Sequence, residues 1–148
     1  MQLLNDCLKL KGKIDLINDR IADIESKLSS PKNQIISDMP RGGGGGESIT
    51  DKLLDRKWAL IEKKVMYEAE LNNKWIKIHK ALNGIGATEE QIVLFQLRFR
   101  EGLLWKDCQK YMQKHYGDTW NENKVYRVNR TLLSKMHKIE KESPWYFR

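Results

Sequence analysis

The chain has 148 residues, of which 32% are charged and 40% hydrophobic, and a formal net charge of +7. That length holds one domain, or one small domain with a helical extension, and the apolar content is spread thinly, as in long helices rather than a globule. No run of about 18 apolar residues occurs, which excludes a membrane span; the positive balance favours a polyanionic partner.

Residues 1–29 carry the most regular pattern. Leu3, Cys7, Leu10, Ile14, Ile17, Ile21, Ile24 and Leu28 are spaced 4, 3, 4, 3, 4, 3, 4, a heptad seam that needs a second helix to cover it. The partner stays open between a helix of the same chain and the matching helix of a second copy in a homodimer. The opening MQLLNDCLKLKGK mixes acids and bases and has no signal-peptide core. Two isolated cysteines, Cys7 and Cys108, have no metal-site or disulfide spacing. Both fall on apolar stripes, and buried thiols of this kind need a reducing compartment, so a cytoplasmic protein is expected.

From Ser29 to Glu47 the periodicity stops. SSPKNQIISDMPRGGGGGE contains two prolines and five consecutive glycines, Gly42–Gly46, and predicts a flexible linker over residues 30–47. No G-K-[ST] follows the glycines, which argues against a phosphate-binding loop. Ser48-x-x-Asp51 then caps a helix over 48–83, with Asn83-Gly84 as its stop. Its apolar residues form two sets, Leu54, Trp58, Ile61, Val65 and Leu71, Trp75, Ile78, Leu82, each spaced 4, 3, 4. The sets are out of phase, so the stripe is expected to shift near Glu68–Asn72, with Trp58 and Trp75 in the core. The two helices, about 40 and 50 Å long, can close as an antiparallel hairpin, because closure entropy grows slowly with loop length.

Three shorter helices are predicted within residues 84–148. Thr88-Glu89-Glu90-Gln91 is a capping-box start; Ile92, Leu94, Phe95, Leu97 and Phe99 supply an apolar surface up to Gly102, a helix stop. In LLWKDCQKYMQKHY, Leu104, Cys108, Tyr111 and Met112 fall at helical spacing. Gly117-Asp118-Thr119 breaks that helix, Trp120 is expected to plug into the core, and Asn121 caps the last helix. There Val125, Val128, Leu132, Met136 and Ile139 form the apolar stripe, with Asn123, Tyr126, Arg127, Arg130 and Ser134 opposite. Five cations, Lys124, Arg127, Arg130, Lys135 and Lys138, stand against one carboxylate, Glu122, leaving +4 over residues 121–138. A helix anchored along one face, with amide, phenol and guanidinium groups along the other, suits a DNA groove. The candidate DNA-contacting residues are Asn121, Asn123, Lys124, Tyr126, Arg127, Arg130 and Ser134, with Lys106 and Lys110 from the preceding helix. His79, His115 and His137 lack ligand spacing, and no nucleophile stands in a recognisable elbow, so neither an enzyme nor a cofactor is expected. The expected fold class is all-α: a long helical hairpin or coiled-coil arm, then a small C-terminal helix-turn-helix domain over 84–148.

TEEQIVLFQLRFREGLLWKDCQKYM resembles the start of the sigma-factor region 4 type of helix-turn-helix, in which a Leu-Arg-aromatic-x-Glu-Gly run precedes the first helix of the pair. The matching residues are Leu97, Arg98, Phe99, Glu101 and Gly102, then Trp105, Lys106, Asp107 and Cys108. Asn121 to Arg130 stand where that type has its recognition helix. Gln109 departs from the small Ala usual at the helix crossing, and QKHYGDTW is longer than the usual tight turn. The whole order of segments is similar to that of phage regulators of the ArpU/RinA type. The resemblance implies a sequence-specific transcriptional regulator, an activator of phage or prophage late or packaging genes. Its partner would be double-stranded promoter DNA, in the cytoplasm of a bacterial host. Contact with host RNA polymerase is left open. Two other readings stand beside it: a small-terminase-like DNA-packaging subunit, and an adaptor that contacts RNA polymerase without reading DNA.

Overall fold

The computed structural model describes residues 2–29 and 48–147. Every regular element among them is helical. We label them α1 (Gln2–Leu28), α2 (Ile49–Gly84), α3 (Glu89–Phe95), α4 (Trp105–Tyr116) and α5 (Glu122–Glu142). α3 runs on into a π-helical segment, Gln96–Arg100, and a 3-10 turn, Pro144–Phe147, follows α5. The predicted linker, residues 30–47, lies outside the described residues. The chain divides into two compact units: Lys13–Ala69, and Met1–Gly12 together with Glu70–Arg148. Motif order alone places a boundary at residue 84.

In the unit Lys13–Ala69, α1 and α2 run antiparallel. Lys13 Nζ lies 5.3 Å from the centre of the Tyr67 ring, and Lys57 Nζ meets Glu25 Oε1 at 3.2 Å. Ile14, Ile17 and Ile24 are buried, with Ile21 and Leu28 half-buried. On α2 the phase differs from the one its apolar spacing predicts. Leu53 is buried and Lys57, Leu60, Lys64 and Tyr67 are half-buried, whereas Leu54, Trp58 and Val65 are 36%, 62% and 58% exposed. The cause is two lysines at seam positions. Each lays its aliphatic stem along the apolar groove and keeps its ammonium in water, Lys57 towards Glu25 and Lys64 towards Glu68 at 3.8 Å. With these lysines included, the inward positions of α2 repeat at heptad spacing up to Leu71, and no phase shift occurs.

The other unit gathers the remaining helices. Lys74 Nζ stands 4.0 Å from Asp6 Oδ2, so α1 and α2 are again antiparallel. Leu4, Cys7 and Leu10 of α1 and Leu71, Trp75, Ile78, Ala81 and Leu82 of α2 are buried; Leu4, rather than Leu3, fills the first seam position. α2 stops at Gly84, as its residues predict, and the chain turns on Gly86, whose φ of 75° is left-handed. The Ala87 amide donates to the Leu82 carbonyl and the Gly86 amide to Asn83, the pairing that satisfies the last carbonyls of a helix closed by glycine. α3, α4 and α5, with the π-helical segment and the turn before α5, add Leu94, Phe95, Phe99, Cys108, Met112, Trp120, Val125, Val128, Leu132 and Met136 to the buried set.

Candidate nucleic-acid interface

Each helix of the small C-terminal assembly is started or stopped by a specific local device. Thr88 Oγ1 accepts the Gln91 amide at 3.3 Å, and Gln91 Oε1 accepts the Thr88 amide at 3.0 Å, so the capping box forms as its residues predict. The π-helical segment is a wider turn, and across it Phe95 and Phe99 meet edge to face with ring centroids 5.0 Å apart. Gly102, at φ 72°, then reverses the chain; a Cβ there would come within 2.9 Å of Lys11 Cγ. Arg98 braces the bend from inside. Its Nη1 donates to the Leu103 carbonyl at 2.8 Å, and its guanidinium lies 5.2 Å from the centre of the Trp105 ring.

α4 presents Cys108 and Met112 to the core, while Leu104 and Tyr111, expected on the same stripe, are exposed. Leu104 is the extended residue just before the helix, outside its periodicity, and Tyr111 stacks on His115 at 4.2 Å. Burial pushes the Cys108 thiol up to about 11, with Arg98 acting against that rise. The Cys7 thiol is likewise pushed up to about 11 by burial, against the pull of Lys74. Both stay protonated at neutral pH.

The start of α5 is fixed from two sides. Trp120 is 2% exposed and its indole N–H donates to Glu90 Oε2 at 3.1 Å. Asn121 Oδ1 accepts the Lys124 amide at 2.8 Å, and the Lys124 ammonium sits 4.3 Å from the centre of the Trp120 ring. Asn121 and Lys124 therefore already hold structural positions. Beyond them α5 is divided by face. Val125, Val128, Leu132 and Met136 are buried and Ile139 is half-buried, whereas Asn123, Tyr126, Arg127, Arg130 and Ser134 are all exposed. Lys106 and Lys110, four residues apart on α4, are exposed as well.

Two of these sets meet at the N-terminal ends of α4 and α5. Trp105, Lys106 and Gln109 line one wall of a groove of about 350 Å³, and Glu122, Val125 and Tyr126 line the other. Family models, curated proteins and solved structures offer no match to this chain. Trp105 is the residue that the apolar spacing did not single out. It is half-buried, edge to face with Phe99 at 6.3 Å and tilted against Tyr126 at 6.1 Å. It thereby joins the bend after α3 to the exposed face of α5. The signal for it is an aromatic at the first position of α4, next to the basic Lys106. Gln109, noted only as a departure from Ala, lines the same groove. Among the described residues no three His, Cys, Asp or Glu side chains gather as metal ligands, and no helix is long and apolar enough to cross a membrane.

Proposed function

We propose that this protein is a sequence-specific DNA-binding transcriptional regulator, with α5 as the element that enters the major groove. The observation that carries this reading is the division of α5. One face is buried from Val125 to Met136 while Asn123, Tyr126, Arg127, Arg130 and Ser134 stand exposed on the other. Arg and Asn are side chains that pair in two-pronged fashion with guanine and adenine edges. The surrounding cations supply phosphate attraction that does not depend on sequence. Lys106 and Lys110 on α4 are suited to the flanking backbone, since phosphate contacts set register while base contacts specify.

The resemblance of residues 88–112 to sigma region 4, and of the segment order to ArpU/RinA-type regulators, extends the proposal to activation of phage late or packaging genes in the cytoplasm of a bacterial host. Two buried free thiols suit such a reducing compartment. The role is binding rather than catalysis. Selection of binding sites from random duplex DNA by the full chain tests it, and one recovered motif is expected. Recovery of no motif would favour an adaptor to RNA polymerase, and assembly into large rings on DNA would favour a packaging subunit.

A further inference from the structure

On α2, in the unit Lys13–Ala69, a second apolar stripe lies beside the one turned to α1. Leu54, Trp58 and Val65 are exposed and Ile61 is half-buried; their spacing of 4, 3, 4 is that of a coiled-coil seam. Isolated exposed apolar residues are ordinary, but a contiguous stripe centred on a Trp is a mark of an interaction surface. A heptad with Trp58 and Val65 at a and Leu54 and Ile61 at d places Lys57 and Lys64 at g, along one flank. Asp55 and Glu62 fall at e, along the other.

That charge arrangement selects an occupant. In a parallel pair the g flank of each helix faces the e flank of its mate, so Lys57 of each copy meets Glu62 of the other across a two-fold axis. In an antiparallel pair g faces g and e faces e, setting lysine against lysine and carboxylate against carboxylate. The e and g positions fix partner and orientation in coiled coils. We infer that the Leu54–Val65 stripe of α2 is a parallel homodimerisation seam that takes the same stripe of a second copy of this chain. Lys57 already contacts Glu25 of α1, and an ammonium with three donors can accommodate a second carboxylate. Glu25, Lys57 and the second copy's Glu62 then form one network. Two heptads make a small interface, so the dimer is weak and concentration-dependent. The inference does not rest on the DNA reading, because a monomer can also bind DNA.

Sedimentation equilibrium of the full chain at rising concentration tests it, with circular dichroism to verify folding. The wild type is expected to pass from monomer to dimer, and Trp58→Glu to remain monomeric with unchanged helicity. Lys57→Glu and Glu62→Lys should each weaken the dimer by about tenfold, and the two together should restore it. A wild type that stays monomeric at every soluble concentration overturns the inference, as does a dimer that survives Trp58→Glu. A dimer strengthened by Lys57→Glu alone would mean antiparallel pairing and overturn it equally. Orientation has a second readout in single-cysteine variants. Copper-phenanthroline oxidation should cross-link Leu54→Cys to itself and Val65→Cys to itself, and cross-linking only in a mixture of the two would contradict the parallel seam.

Discussion

Trp120 ties three parts of its unit together. Its indole reaches Glu90 at the start of α3, its ring lies under Lys124 of α5, and its body fills the core. Trp120→Ala should cost about 3–5 kcal/mol, comparable with the whole stability of a small domain, and thermal melting by circular dichroism should show it. A native-like melting temperature would mean that the helices pack without it. The two thiols make a separate prediction at this scale. Their folded pKa lies near 11 against the ordinary 9.0, so above pH 9 the unfolded chain releases protons that the folded chain retains. Stability conferred by the buried thiols is full below pH 9 and falls as pH rises from about 9 to 11. Urea titrations across that range should show the decline, and replacing both cysteines with alanine should flatten it at the expense of core packing. At this scale the sequence was highly legible wherever chemistry was local. Thr88, Ser48, Asn121 and Gly102 act as their neighbours in the chain dictate. The packing role of Trp105 was not legible, because it depends on Arg98 and Phe99 of the π-helical segment and Tyr126 of α5 converging on its ring.

At the scale of elements, the apolar seam of α1 was legible because every inward position carries an apolar residue. Apolar spacing alone misses the seam of α2, because two of its inward positions are lysines, whose charge conceals an apolar stem. The outward stripe of Leu54, Trp58, Ile61 and Val65 then looked like the inner one. Burial distinguishes neighbouring positions on α1 in the same way. Ile17 is buried and Ile21 only half-buried, so an unpaired carboxylate should cost several kcal/mol at residue 17 and clearly less at 21. Chemical denaturation of Ile17→Asp and Ile21→Asp measures this difference. Equal loss in both would mean that α1 is rotated about its axis relative to α2.

For the molecule as a whole, the all-helical class and the helical hairpin follow from periodicity and lengths, whereas the division into units does not. Motif order suggests that residues 84–148 stand alone, but Met1–Gly12 and Glu70–Gly84 belong to the same compact unit. They contribute Leu4, Cys7, Leu10, Leu71, Trp75, Ile78 and Leu82 to the buried set. At about 1.5–3 kcal/mol for each fully buried large apolar side chain, that exceeds the margin by which such units are folded. An isolated 84–148 fragment should therefore show little cooperative unfolding, and a folded fragment with a sharp melt would refute this. The central claim is that the exposed face of α5 reads DNA, and fluorescence anisotropy with the selected duplex and a scrambled one tests it most directly. Arg127→Ala and Arg130→Ala, both exposed, should melt like the wild type. Where the arginine reads a guanine edge, the variant should lose about 1–3 kcal/mol on the selected duplex only. Where it contacts phosphate, both duplexes should weaken alike and the salt slope should fall by about one. Full affinity for the selected duplex in both variants would contradict the assignment of α5 as the reading helix.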